Sequence, residues 1–243
     1  LATEEVDFVK IWVDDRGGRY EKLTPELYGP VIDEAHKHGL RVTAHVFTLE
    51  DAKGLLRAGI DAFAHGIRDQ DVDDELVQMW TDRPEVVLVP NLPNPGIALD
   101  LSWLSGTIPA ERLGEMQAAQ QDRPAAQESF GIQARNLDRL NSAGIKIAFG
   151  TDGSSPWTSH QEMEDMVRSG MTPAEVIVAA TSTSAELIEL DAGSIAAGKL
   201  ADFVVLDANP VDDITNTRRI SDVYMRGQRV ERESLQERWI GSE

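Results

Sequence analysis

Cysteine is absent from the 243 residues, which excludes disulfides and thiolate zinc sites and leaves the redox compartment unmarked. Cations are scarce as well: 23 Lys and Arg stand against 42 Asp and Glu, for a net charge of −19. Nucleic acid and anionic membrane surfaces are therefore unsuited partners, because binding them rests on neutralisation by Lys and Arg. No apolar run approaches the roughly 18–20 residues of a membrane span. The chain starts at Leu1 without a methionine, and a strand pattern follows almost at once. It reads as the C-terminal part of something longer, soluble, with cytoplasmic, periplasmic and secreted locations all open.

What is present is a period. With 41% hydrophobic residues the chain can bury a sizeable core. Strand patterns run over 6–13 (VDFVKIWV), 40–46 (LRVTAHV), 60–65, 86–90 (VVLVP) and 145–150. Helices fall between them: Thr24-Pro25 supplies a cap and a first-turn proline, Gly39 a stop, Thr48 a second cap and Gly59 a second stop, with a third helix expected over 71–80. This alternation indicates βαβ units and a parallel sheet. The stretch 91–144 is unusually long, loop-like at first and then helical from Glu111 to Ala143 with a break at Pro124. It is expected to act as a lid or to pack an extra helix on the sheet. Late strand patterns, FVVLD and SDVYMRGQRV with a turn at Arg226-Gly227, form a small appendage. The fold class expected is α/β: residues 1–190 make a partial (β/α)8 TIM-type barrel of five βα units, and residues 191–243 a β-sandwich-like appendage and tail. A closed barrel of this kind needs eight strands, so three units are missing from the front.

Catalytic groups in such barrels sit where strands end. The run Ile145–Gly153 (IKIAFGTDG) ends by presenting Asp152, and two earlier strands end on His45 and His65. Imidazole is the commonest ligand for zinc-like metals, and two strand-end histidines with a carboxylate make a ligand set. Lys10 alternates with Val6, Phe8 and Trp12, which puts an ammonium among core-facing residues. Either it reaches the rim or pairs with Asp152, or it is carboxylated into an anionic bridge between two metals. His160, Asn91 and Trp157 are rim positions suited to substrate contact. Glu162, Glu164 and Asp165 read as a solvated helix face, and His36-Lys37-His38 as surface at a helix end. Gly150 and Gly153 are expected to serve backbone geometry around the aspartate.

VDFVKIWV, EAHKHGLRVTAHV, AGIDAFAHG, AGIKIAFGTDG, GMTPAEVIVAATSTSAELIEL and GSIAAGKLADFVVLDANP, in this order, resemble the amidohydrolase superfamily in its imidazolonepropionase-like and Xaa-Pro dipeptidase-like branch. The resemblance covers nearly the whole chain. It implies strands four to eight of the barrel and one or two divalent metals, usually zinc. It also implies Lys10 as the carboxylated bridging lysine, His45 and His65 as metal ligands, and Asp152 as ligand and proton shuttle. The activity implied is hydrolysis of a C–N bond in a small amide, dipeptide or cyclic amide by a metal-activated hydroxide. The His-x-His of the family's first strand has no counterpart here. Two other readings stay open: a single-metal deaminase or imidazolone-type hydrolase, and a non-catalytic barrel fragment that binds a ligand or assembles. An open sheet edge favours a homo-oligomer or association with the missing N-terminal segment.

Overall fold

The computed structural model describes residues 6–153 and 155–240. Five strands form one parallel sheet in sequence order: β1 (Phe8–Val13), β2 (Arg41–Val46), β3 (Ala62–Ala64), β4 (Val87–Val89) and β5 (Lys146–Ile147). Each crossover carries helix: α1 (Pro25–Lys37), α2 (Leu49–Arg57), α3 (Asp74–Thr81), then α4 (Ala110–Ala118) and α5 (Pro124–Ser142) before β5. After the sheet come α6 (Thr158–Arg168), α7 (Pro173–Val178) and α8 (Ser184–Leu187), with a π-helical turn over Ala179–Thr183 between the last two.

The local signals act as their chemistry dictates. Thr24 and Pro25 open α1, and Gly39 ends it with φ +71°. The Thr48 hydroxyl accepts the Asp51 N–H at the start of α2, and Thr172 with Glu175 closes a capping box on α7. The third helix starts later than expected, because Asp73 and not Asp71 caps it by accepting from Leu76 N. Strand five is shorter than its apolar run, its pairing ending at Ile147 apart from the Ala148 N–H donated to Leu88 O.

Period 2 separates the sheet into two unlike faces. One row runs Ile11, Ala44, Phe63, Leu88, Ile147 in register and packs under the helices. Against it lie Tyr28 and Ile32 of α1, Leu55 of α2, Trp80 of α3 and Leu137 of α5, with the Phe63 and Trp80 rings 4.7 Å apart. Of the two roles expected for 91–144, α5 therefore takes the packing one, fastened by Asn136, which accepts from Val72 N and donates to Ile67 O and Gln70 O. The other face carries a small buried apolar patch, Ala62, Val87 and Ala148, and is open at β1. Lys10 lies on this open face with Phe8 and Trp12, so it is exposed and not core-facing as the alternation suggested. Alternation identifies which residues share a face, but only neighbouring strands decide whether that face is covered.

The appendage is a single antiparallel sheet among the described residues, β6 (Phe203–Leu206), β7 (Ile220–Met225) and β8 (Gln228–Arg229), and not a sandwich. Its hairpin turns at Arg226 and Gly227, both at positive φ, as a two-residue turn of this hand requires. Val204 and Val205, successive residues on opposite faces of β6, are both exposed, so no second layer covers this strand on either side.

Candidate active site

The ends of the parallel strands bring three of the expected residues together. His45, near the end of β2, is paired in register with Trp12 and Ala64 and so points to the open face. The Trp12 ring stacks on it at 3.6 Å and 6°, leaving His45 only 5% exposed. Its Nε2 faces Asp14 Oδ2 at 3.1 Å, and its Nδ1 is buried without a hydrogen-bond partner. His65 follows β3 directly and is equally buried, its backbone N–H bonded to Val89 O at 2.9 Å. The two imidazoles meet edge to face with centroids 4.5 Å apart. His65 Nε2 lies 3.8 Å from Asp152 Oδ2, while its Nδ1 is also buried and unpartnered.

Backbone strain marks the same rim. His65 (φ +111°), Asn91 (φ +44°) and Asp152 (φ +47°) are non-glycine residues at positive φ, the first two just beyond β3 and β4 and the third in the loop after β5. Such conformations cluster where function over-determines the backbone. Gly150 and Gly153 are not themselves at positive φ; they supply space. A Cβ on Gly150 would meet Asn91 Oδ1 at 2.5 Å and Val89 Cγ1 at 2.6 Å, and one on Gly153 would meet Thr158 Oγ1 at 2.5 Å. Asn91 Oδ1 is buried there without a partner.

Burial makes both histidines hard to protonate. It pushes His65 down to about 3, helped by the positive charge of Arg68. His45 is lowered by burial against the opposing pull of its Asp14 hydrogen bond. At neutral pH both rings are therefore uncharged and carry a free lone pair, the form that binds metals. Burial raises the Asp14 carboxyl, but the Arg16 N–H and His45 outweigh it and hold the group below the usual range. Asp152 is the exposed member, its side chain 68% accessible. Lys10, one register row before Trp12, is close enough that its charge also lowers both histidines. Among the described residues no group of three or more His, Asp or Glu gathers closely enough to hold a metal by itself.

The remaining expected residues lie elsewhere on the rim. His160, in the first turn of α6, has Nδ1 3.1 Å from Thr217 Oγ1 and meets Trp103 edge-on at 5.7 Å. Trp157 is half-buried just before α6, and Ser154 of that loop lies outside the described residues. The acidic set on α6 corrects its reading as a solvated face. Glu162 and Asp165 are buried at 4% and 7%; Glu162 accepts the Leu92 N–H on both oxygens (3.0 and 3.1 Å), Asp165 pairs with Arg168, and Glu164 with Arg218. The 91–103 loop and the segment before β7 cover this face, contacts that helical spacing cannot reveal.

Two groups escaped the sequence reading. Asp14 obeys the strand-end rule as well as His45 does, one residue past β1. Arg68 comes three residues after His65 and lines, with Trp12, Asp14, His45, Phe47 and others, a cleft of about 480 Å³ beside the histidines. Its position in the loop had no sequence signal.

Comparison with known proteins gives the family of the chain. A model described as the amidohydrolase family matches residues 21–230. An uncharacterized protein of Mycobacterium tuberculosis is 32% identical over 187 residues, covering 72% of this chain and 44% of the relative. The imidazolonepropionase of Deinococcus radiodurans is 29% identical over 233 residues, covering 89% of this chain and 56% of that protein. The crystal structure of a Xaa-Pro dipeptidase with bound methionine superposes with a TM-score of 0.73 at 26% identity, over 94% of this chain and 55% of that one. The chain spans about half the length of the curated relatives it matches.

Proposed function

The chain belongs to the amidohydrolase family, in its imidazolonepropionase- and prolidase-like branch, and we propose that it supplies strands four to eight of a (β/α)8 hydrolase cleaving a C–N bond in a small amide, dipeptide or cyclic amide. In this reading residues 1–190 are barrel and 191–243 a separate β appendage. The open face of β1 is then the barrel interior, which accounts for Lys10 and Trp12 standing exposed on it.

One observation carries the proposal: two buried imidazoles meet at 4.5 Å beside a carboxylate, each with an unpartnered ring nitrogen. A buried polar atom without a partner is costly and calls for an explanation. With further ligands from the rest of the barrel, these donors would suit one or two divalent metals, zinc by its preference for imidazole and carboxylate, to which His45, His65, Asp152 and a carboxylated Lys10 would each be a ligand. Such a metal supplies Lewis acidity toward the scissile carbonyl and the attacking water. Asp152, an exposed carboxylate beside His65, would take a proton from the attacking water and return it to the leaving nitrogen. Asp14 orients His45 through Nε2, as carboxylates behind ligand histidines do. Trp12 and the buried patch below the rim keep water from the imidazoles. Asn91, His160 and Trp157 are assigned to substrate contact, and neither nucleic acid nor a membrane is a partner. No described helix is long and apolar enough to cross a membrane.

Metal content by plasma mass spectrometry tests this, on the chain and on the longest protein that contains it. One to two equivalents in the longer protein, lost in a His65→Asn variant, are expected. A longer protein that takes up no zinc, manganese or cobalt overturns the reading.

A further inference from the structure

Strand β5 is the outer strand of the described parallel sheet, with β4 its one neighbour. Its Ala148 N–H turns inward to Leu88 O, so by the alternation of a parallel ladder the Phe149 N–H turns outward, where no described strand lies. A side chain stands in for that strand: Ser184 Oγ accepts the Phe149 N–H at 3.0 Å. The same hydroxyl donates to Ala179 O at 2.7 Å, five residues back, across the π-helical turn Ala179–Thr183. By contrast, Thr181 and Ser182 donate to Ile177 O and Val178 O of their own helix. A π turn carries one residue more than an α turn, which rotates all that follows by about 100°. Here that rotation leaves Ser184 facing β5. The helix that follows is fastened to the same strand twice more, Glu186 with Lys146 and Leu187 against the patch that includes Ala148.

We propose that Ser184 is a positioning residue for Asp152: from the π-helical turn its hydroxyl fixes the end of β5 and thereby sets the carboxylate beside His65. The chain between Phe149 and Asp152 has little freedom of its own. Gly150 is walled in, since a Cβ there would meet Asn91 Oδ1 at 2.5 Å and Val89 Cγ1 at 2.6 Å. Two successive residues are thus gripped by two different elements, Phe149 by Ser184 and Gly150 by the end of β4. Thr151 Oγ1 then accepts the Gly153 N–H at 3.1 Å and shapes the turn. Asp152 sits inside that turn at φ +47°, a conformation that persists only where the surroundings over-determine it. With the grip at Phe149 released, the carboxylate 3.8 Å from His65 Nε2 loses its fixed place. Misplacing a reacting group by about 1 Å can cost about a hundredfold in rate. A π turn is also a frequent companion of functional sites. That Asp152 reacts rests on the hydrolase reading above; that Ser184 sets its place does not.

The test compares Ser184→Ala, Ser184→Thr and Thr181→Ala in the longest protein that contains the chain. Amide hydrogen exchange is read on metal-free protein over 149–153, over β4 and over α7. S184A should speed exchange by about tenfold over 149–153 and by less than about twofold over β4 and α7. S184T keeps the hydroxyl and T181A removes one that serves its own helix, so both should match the wild type. Cobalt(II) is then added, its affinity read by titration and its surroundings by d–d absorption. S184A should bind it about ten- to hundredfold more weakly with a shifted band, and S184T as the wild type does. Exchange that is unchanged in S184A, raised equally over β4 and α7, or not restored by threonine overturns the proposal. So does faster exchange with cobalt affinity and band as in the wild type, because the carboxylate would then be unmoved. A wild type that takes up no cobalt counts against the hydrolase reading, and the exchange pattern alone then upholds or overturns the role of Ser184.

Discussion

The two faces of the five-stranded sheet are built from the same strands, yet they divide the work of the molecule. Toward the helices the side chains are Val13, Ala44, Phe63 and Leu88, at most 1% exposed and closed over by α1, α2, α3 and α5. Toward the other side stand Lys10, Trp12 and His45, with only Ala62, Val87 and Ala148 packed among them. The buried core lies on the first face, and the candidate site on the second. A strand with period 2 can serve both because each face answers to different neighbours.

The contrast can be broken hardest on the packed side. Leu88→Ala should cost about 2–5 kcal/mol in urea unfolding, as cavity-forming truncations do, with no change in ligand chemistry. A loss below about 1 kcal/mol would mean the helix layer is not the main support.

Acidity probes both sides at once. His65 sits near 3 when folded against about 6.5 unfolded, so below pH 6.5 the unfolded chain takes up the proton first. Its contribution is full above that pH and is lost as pH falls from about 6.5 toward 3, by at most about 1.4 kcal/mol per pH unit. Glu162 and Asp165 run the other way. Burial raises them to about 8 and 7, so the folded state holds their protons more tightly, and stability is lost as pH climbs from about 4 to 8. Unfolding midpoints across pH 4–8 should therefore steepen on the acid side in Glu162→Gln, which lacks the opposing group. In His65→Asn the acid loss should shrink. An unchanged slope in both variants would contradict these assignments.

Smaller effects refine the picture. Removing the α2 cap with Thr48→Ala should cost about 1 kcal/mol by thermal unfolding. Lys10→Ala should leave stability within about 0.5 kcal/mol, because the side chain is exposed on the open face. The same change should lower metal content of the longer protein and its hydrolysis, with partial recovery on adding short carboxylic acids. Full activity in that variant would count against a bridging lysine.

Much of this was legible before any coordinates, wherever the signal is local. Thr24-Pro25 at the start of α1, Thr48 at the cap of α2 and Arg226-Gly227 at the hairpin turn each stand where they were read. His45 and His65 could be placed at strand ends because periodicity and glycine stops locate those ends. What stayed hidden depends on contacts distant in sequence. The burial of Glu162 needs Leu92, seventy residues away, and the role of Asp14 needs His45, thirty-one away. Lys10 shows the same limit: its face was identified, but whether that face is covered is decided by other strands. Arg68 had no pattern at all, since a place in a cleft wall is defined only by what surrounds it.

The left-handed backbone at His65, Asn91 and Asp152 has a consequence for anyone selecting variants of this protein. Each such residue costs on the order of 1–3 kcal/mol that a glycine would largely avoid. A library screened for heat resistance alone should therefore drift toward glycine at all three positions, gaining robustness while shedding the side chains at the rim. A library screened for turnover should hold them against that drift. The two outcomes, read by sequencing survivors, would show where thermal fitness and catalytic fitness part company along one edge of one sheet.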